Sequence, residues 1–105
     1  APGTSLRPPT AHAGLADLYL VSGFSGLLPP RDAWNLAEGA ARRALALDAD
    51  MAQAHVALAY VRLFADWDWP AAEAGLAKAV ALAPRSAEAH QWQGLLHAMR
   101  GELDT

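Results

Sequence analysis

The chain repeats itself every 35 residues: Trp34 recurs as Trp69, Ala37 as Ala72, Ala44 as Ala79, Leu45 as Val80 and Leu47 as Leu82. Ala54-His55 recurs as Ala89-His90 at the same spacing, and His12 stands 43 residues before His55. A period of this length marks a supersecondary unit that buries its apolar face by stacking on copies of itself. The fold is therefore an array, and the function expected of an array is to offer a surface to a partner.

The class of unit follows from what fills it. Hydrophobic residues make up 53% of the 105 residues, with alanine dominant. Alanine is the best helix former, and its small side chain lets helices approach closely. Isoleucine is absent, the valines are scattered, and no stretch alternates between apolar and polar, so a sheet is not expected. The net charge of −3 and the scattered basic residues, with Arg42-Arg43 the only adjacent pair, argue against a nucleic-acid face. No cysteine is present, which removes disulfides and thiolate metal sites and permits a reducing compartment. No long apolar run or signal pattern appears, and the reading is a cytoplasmic, non-membrane chain. It opens at Ala1 and stops inside its pattern, as a segment of a longer protein would.

Five helices are expected. Residues 1–10, with Pro2, Gly3, Pro8 and Pro9, read as an arm. A helix from about Ala11 carries Leu15, Leu18, Tyr19 and Val21, until Ser22-Gly23-Phe24-Ser25-Gly26 breaks it. Pro30 in a first turn and Asp32 near the positive end of the dipole open a second helix that runs to about Leu47. The third spans about Met51 to Ala65. The fourth is capped by Asp68, with Pro70 in its first turn, and is stopped by Pro84. The fifth is capped by Ser86 and ended by Gly101, with Leu103 and Asp104 starting another.

Laid over one another, the units place small residues where two helices must approach: Ala16, Ala59 and Gly94 in the first helix of each unit, and Ala37, Ala72, Ala44 and Ala79 in the second. Trp69, Ala72, Leu76, Ala79 and Pro84 match the second-helix positions of the tetratricopeptide repeat, and Trp34, Ala37, Ala41, Ala44 and Ala49 fill them in the preceding unit. The chain resembles that family. The resemblance implies an all-α, right-handed helix-turn-helix solenoid over residues 11–105. Repeat one covers about 9–51 with an insertion at 22–30, repeat two about 52–86, and a partial repeat three 87–105. From His12 to Trp34 is 22 residues, from His55 to Trp69 is 14 and from His90 to Leu103 is 13, so the extra residues lie in the first turn. The strings Gly26 to Arg31, Ala41 to Asp48 and Asp66 to Trp69 resemble repeat regions of large bacterial signalling and transcriptional regulatory proteins, which implies a sensory or partner-binding role.

In such arrays the first helices line a concave groove. The resemblance places Ala13, Asp17 and Leu20 there from the first unit, Val56, Tyr60, Leu63 and Phe64 from the second, and Gln91, Leu95 and Met99 from the third. This largely apolar wall suits the face of a helix or an extended peptide. Lysine, asparagine and arginine, which family members use here to grip acidic tails, are missing, with Ala13 and Asp17 at the first two of those positions. An alternative role is a linker or self-associating module, with an apolar face around Leu95, Leu96 and Met99 of the unpaired last helix offered to a second copy.

No chemistry is expected. His90 and His97 stand seven residues apart, roughly 10 Å along a helix, too far to share one zinc ion. His12, His55 and His90 occupy the repeat position of a packing residue. Asp66 and Asp68 are explained by solvation and capping, and Ser22 and Ser25 lack a histidine and acid at a usable spacing. The expectation is no enzyme and no cofactor or metal, with a protein or peptide as partner.

Overall fold

The computed structural model describes residues 8–85 and 87–104, with side chains at 88, 89, 95, 99, 100 and 102–104 outside that description. Those residues form five α-helices and no strand: α1 (Pro9–Ser25), α2 (Pro30–Leu47), α3 (Ala52–Asp66), α4 (Trp69–Leu82) and α5 (Ala87–Asp104). None is long and apolar enough to cross a membrane.

The helix starts follow from local chemistry. Pro9 and Pro30 each occupy a first turn, where the missing N–H has no intrahelical partner to lose. The Asp68 carboxylate accepts from the Ala71 N–H at 3.1 Å and caps α4. The ends come in two kinds. α1 and α3 stop on left-handed residues, Gly26 at φ +84° and Trp67 at φ +53°. α2 ends on the extended residue Asp48, and α4 ends on Ala83. Their N–H groups reach back to the Ala44 and Ala79 carbonyls at 2.8 and 2.9 Å.

Two expected boundaries are corrected. Ser22 to Ser25 do not break α1, which continues to Gly26. The insertion is absorbed mainly as helix: α1 runs two residues beyond the point matching the end of α3, and α2 starts four residues before Trp34, whereas α4 starts at Trp69. Gly101 does not end α5, which runs through Leu103 to Asp104. The expected cap Ser86 and most of the arm lie outside the described residues, and Pro9 and Thr10 of that arm are helical.

α1 packs on α2, and α3 on α4, as antiparallel hairpins. α2 meets α3, α4 meets α5, and α3 also touches both α1 and α5, while α2 and α4 make no contact among the described residues. The odd-numbered helices thus adjoin on one side. Alanine sets the spacing: Ala13, Ala44 and Ala54 meet where α1, α2 and α3 converge, and Ala16, Ala37, Ala40, Ala41 and Ala57 surround Leu20 and Val61. A third cluster joins Val56, Ala59, Leu63, Ala72, Leu76, Ala79 and Leu96. Among the described glycines the tightest surroundings are at Gly23, where an added Cβ would stand 2.7 Å from Ala33 Cβ and 3.0 Å from the Trp34 ring.

The 35-residue period is visible in the geometry. Ala37 and Ala72, and Ala44 and Ala79, are equally buried. His55 Nε2 donates to the Ala49 carbonyl at 2.9 Å and His90 Nε2 to the Pro84 carbonyl at 2.7 Å, each six residues back. These two histidines are turn latches. The Nδ1 of His12, their counterpart, is buried with no partner among the described residues.

Candidate binding groove

Where α1, α3 and α5 adjoin, Asp17, Leu20, Val21 and Phe24 of α1, Tyr60 of α3 and Trp92 of α5 line one depression open to solvent. Three helices contribute, so the site exists only once they are packed together. Phe24 reaches this opening because α1 remains helical past Gly23, one turn beyond Leu20.

The rings form a continuous ridge. Phe24 meets Trp34 edge to face at 5.0 Å between centroids, Phe64 at 5.2 Å and Tyr60 at 6.2 Å. Phe64 stacks on both Trp34 and Tyr60, and Tyr60 meets Trp92 at 4.1 Å. Edge-to-face and offset pairs of this kind hold rings in fixed orientations. Trp34, Tyr60, Phe64 and Trp92 are half-buried, and Phe24 is 53% exposed.

Asp17 sits half-buried at one side of the depression. Its Oδ2 accepts from Gln53 Nε2 at 2.6 Å, which ties α1 to α3 across the wall. Burial raises its carboxyl above the ordinary aspartate value, and the Gln53 hydrogen bond offsets part of that rise. At the α2–α3 junction, Glu38 takes Arg62 at 3.1 Å and Arg42 at 2.8 Å, and Arg62 also reaches Asp66 at 3.2 Å. The Arg62 hydrogen bond, assisted by Arg42, holds the Glu38 carboxyl below its usual range.

Of the residues expected on the wall, Asp17, Leu20 and Tyr60 line the depression, whereas Ala13 is fully buried against Ala44 and Ala54 and does not reach it. Phe64 lies in the ridge beside it, facing a more polar recess with Arg31, Asn35 and Asp66. Gln91 is exposed on α5. Two further expectations are corrected: Val56 and Leu63 are 3% and 6% exposed, enclosed by α4 and α5, and offer nothing to a partner. Leu96, expected on an open self-association face, is 2% exposed in the same core. The side chains of Leu95 and Met99 lie outside the described residues. Phe24, Val21 and Trp92 were not expected in the groove. Val21 stands four residues from Asp17 within the expected helix, and Phe24 stands four from Leu20, a helical spacing that becomes visible once Gly23 is allowed inside the helix.

The remaining candidates are occupied otherwise. Asp66 pairs with Arg62, and Asp68 is the α4 cap. Trp69 packs against the second-unit core, whereas Trp67 is 69% exposed. Among the described residues, no three histidine, aspartate or glutamate side chains converge as a metal site. Comparison with family models, with curated proteins and with solved structures finds no match to this chain.

Proposed function

We propose that the chain is a tetratricopeptide-type repeat module of a larger regulatory protein, holding a peptide or protein segment against α1, α3 and α5. The observation that carries this reading is the depression itself: three aromatic side chains from three different helices stand half-buried or more exposed around one opening. Rings locked by their neighbours lose little freedom on binding, and aromatic anchors contribute heavily to peptide affinity. The chain takes part as a binding partner and not as an enzyme, since the carboxylates near the turns are engaged in capping and pairing. The 35-residue recurrence of buried alanines and histidine latches supports the repeat assignment.

The test is selection of peptides from a phage-displayed random library on the intact chain, followed by titration of selected peptides against wild type and Phe24→Ala/Tyr60→Ala. Affinity should fall about a hundredfold for a pair of hot-spot rings, with the helical circular dichroism unchanged. Equal binding by the double variant refutes the groove assignment.

A second reading, a linking or self-associating module without a ligand, is favoured by one feature. Leu18 and Val21 on α1, and Leu27 in the following turn, are 58%, 59% and 80% exposed, an apolar face turned to solvent.

A further inference from the structure

Among the described residues, the depression carries a single charge. Apart from Asp17, its lining is Leu20, Val21, Phe24, Tyr60 and Trp92. One Asp17 oxygen is taken by Gln53, and the other accepts from none of the described residues. We propose that this depression receives a cationic side chain, an arginine, presented by an otherwise apolar peptide. Its guanidinium faces the free Asp17 oxygen, and its stem and plane lie along Phe24, Tyr60 and Trp92. The inference rests on the groove reading above and specifies its ligand.

Three alternatives fail on the same chemistry. An acidic segment would bring like charge onto Asp17. A wholly apolar segment would seal the carboxylate away from water with one oxygen unpaired, which is costly unless a donor replaces the lost water. A polar uncharged side chain would supply a donor but gain nothing from the rings, whose faces carry partial negative charge and attract cations. A cation satisfies both the carboxylate and the ring faces. Arginine fits better than lysine because its planar fork can hydrogen-bond the carboxylate while stacking on a ring. The chain's net charge of −3 adds weak attraction for such a partner.

The probe is acetyl-Leu-Arg-Leu-amide, compared with the same tripeptide carrying citrulline, which keeps the shape and removes the charge. Each is titrated into the isotope-labelled chain while the Trp92 indole signal and the backbone signals of Asp17, Phe24 and Tyr60 are followed. The arginine peptide should bind about fivefold more tightly than the citrulline peptide, and Asp17→Asn should bring the two to equal affinity. Asparagine keeps an acceptor for Gln53, and the citrulline comparison on wild type needs no variant at all. Equal binding of the two peptides to wild type, an arginine preference that survives in Asp17→Asn, or no binding of either overturns the inference. If library-selected peptides still depend on Phe24 and Tyr60 in that event, the groove stands and only its preference for a cation is wrong.

Discussion

Replacing Gly23 by alanine tests the close passage of α1 over α2 at that residue. In a helix interior that exchange is ordinarily favourable by up to about 1 kcal/mol, because alanine has the higher helix propensity. Gly23 is in the last turn of α1, so the gain there is smaller. Against it stands the new methyl, 2.7 Å from Ala33 Cβ and 3.0 and 3.1 Å from two Trp34 ring atoms. Carbon atoms in contact sit about 3.5–4.0 Å apart, so α1 and α2 must separate locally by most of an ångström. Forcing extra volume into a packed site costs about 1–3 kcal/mol. The upper end applies, because one obstacle is a backbone-anchored methyl and the other is a ring held by Phe24 and Phe64. The expected net effect is destabilisation by about 1–2 kcal/mol, measured by urea unfolding followed by circular dichroism. Gly14→Ala is the control: it lies in the same helix with nothing within 4 Å of its added methyl, and should stabilise by about 0.5–1 kcal/mol. Ala33→Gly in the Gly23→Ala background should recover part of the loss, giving a coupling energy of opposite sign to the Gly23→Ala effect. Refutation is simple: if Gly23→Ala is as stable as Gly14→Ala, the two helices do not approach as described.

Trp67 holds a left-handed conformation, which costs a residue with a Cβ about 1–2 kcal/mol, and its exposed ring packs little. Trp67→Gly should therefore stabilise by about 0.5–1 kcal/mol after the greater freedom of glycine in the unfolded chain is counted, as thermal unfolding would show. Glu38 and Asp17 should respond oppositely to pH. The folded state lowers the Glu38 pKa, so its contribution is present above the unfolded value and lost as pH falls through the folded one; Glu38→Gln should remove that acid sensitivity, an effect under about 1 kcal/mol for a pair this exposed. The folded state raises the Asp17 pKa, so its contribution is present below the unfolded value and lost as pH rises through the folded one; Asp17→Asn should leave the chain at least as stable at neutral pH, checked by urea unfolding across the acid range. Under the second reading of function, sedimentation equilibrium should show a dimer that Leu18→Asp converts to monomer, and a monomeric wild type removes that reading.

Most helix limits were legible because they are written locally. Pro30, Asp68 with Pro70, and Pro84 act through backbone geometry and capping within a few residues. Gly23 was not legible as a helix residue, since its flanks Ser22, Ser25 and Gly26 read as a turn. The reason for a glycine here is tertiary: an added Cβ would stand 2.7 Å from Ala33 Cβ across the α1–α2 contact. That one misreading hid Phe24 from the groove. The error on α3 has another origin. Val56, Tyr60 and Phe64 follow a four-residue step, but 3.6 residues per turn makes such a row rotate by about 80° over eight residues. Val56 therefore falls under α4 and α5, Tyr60 lies at the opening, and Phe64 turns toward Phe24 and Trp34. Sequence shows the row but not where the neighbouring helices cut across it.

The same sequence bias explains why a wall of rings is left open at all. Helices spaced by alanine leave gaps too narrow for aromatic side chains, and the largest fully buried side chain among the described residues is Val61. Rings normally supply much of a core's buried area, but here they are displaced to the edge of the helix layer, where they pack on one another and keep part of their surface wet. Stability and binding should therefore separate by residue type. Enlarging Ala16, Ala37 or Ala44 would push helices apart and destabilise the fold by about 1–3 kcal/mol. Shortening Phe24, whose ring is about half exposed, removes a smaller share of buried area from the fold and a large share of the surface a peptide would cover.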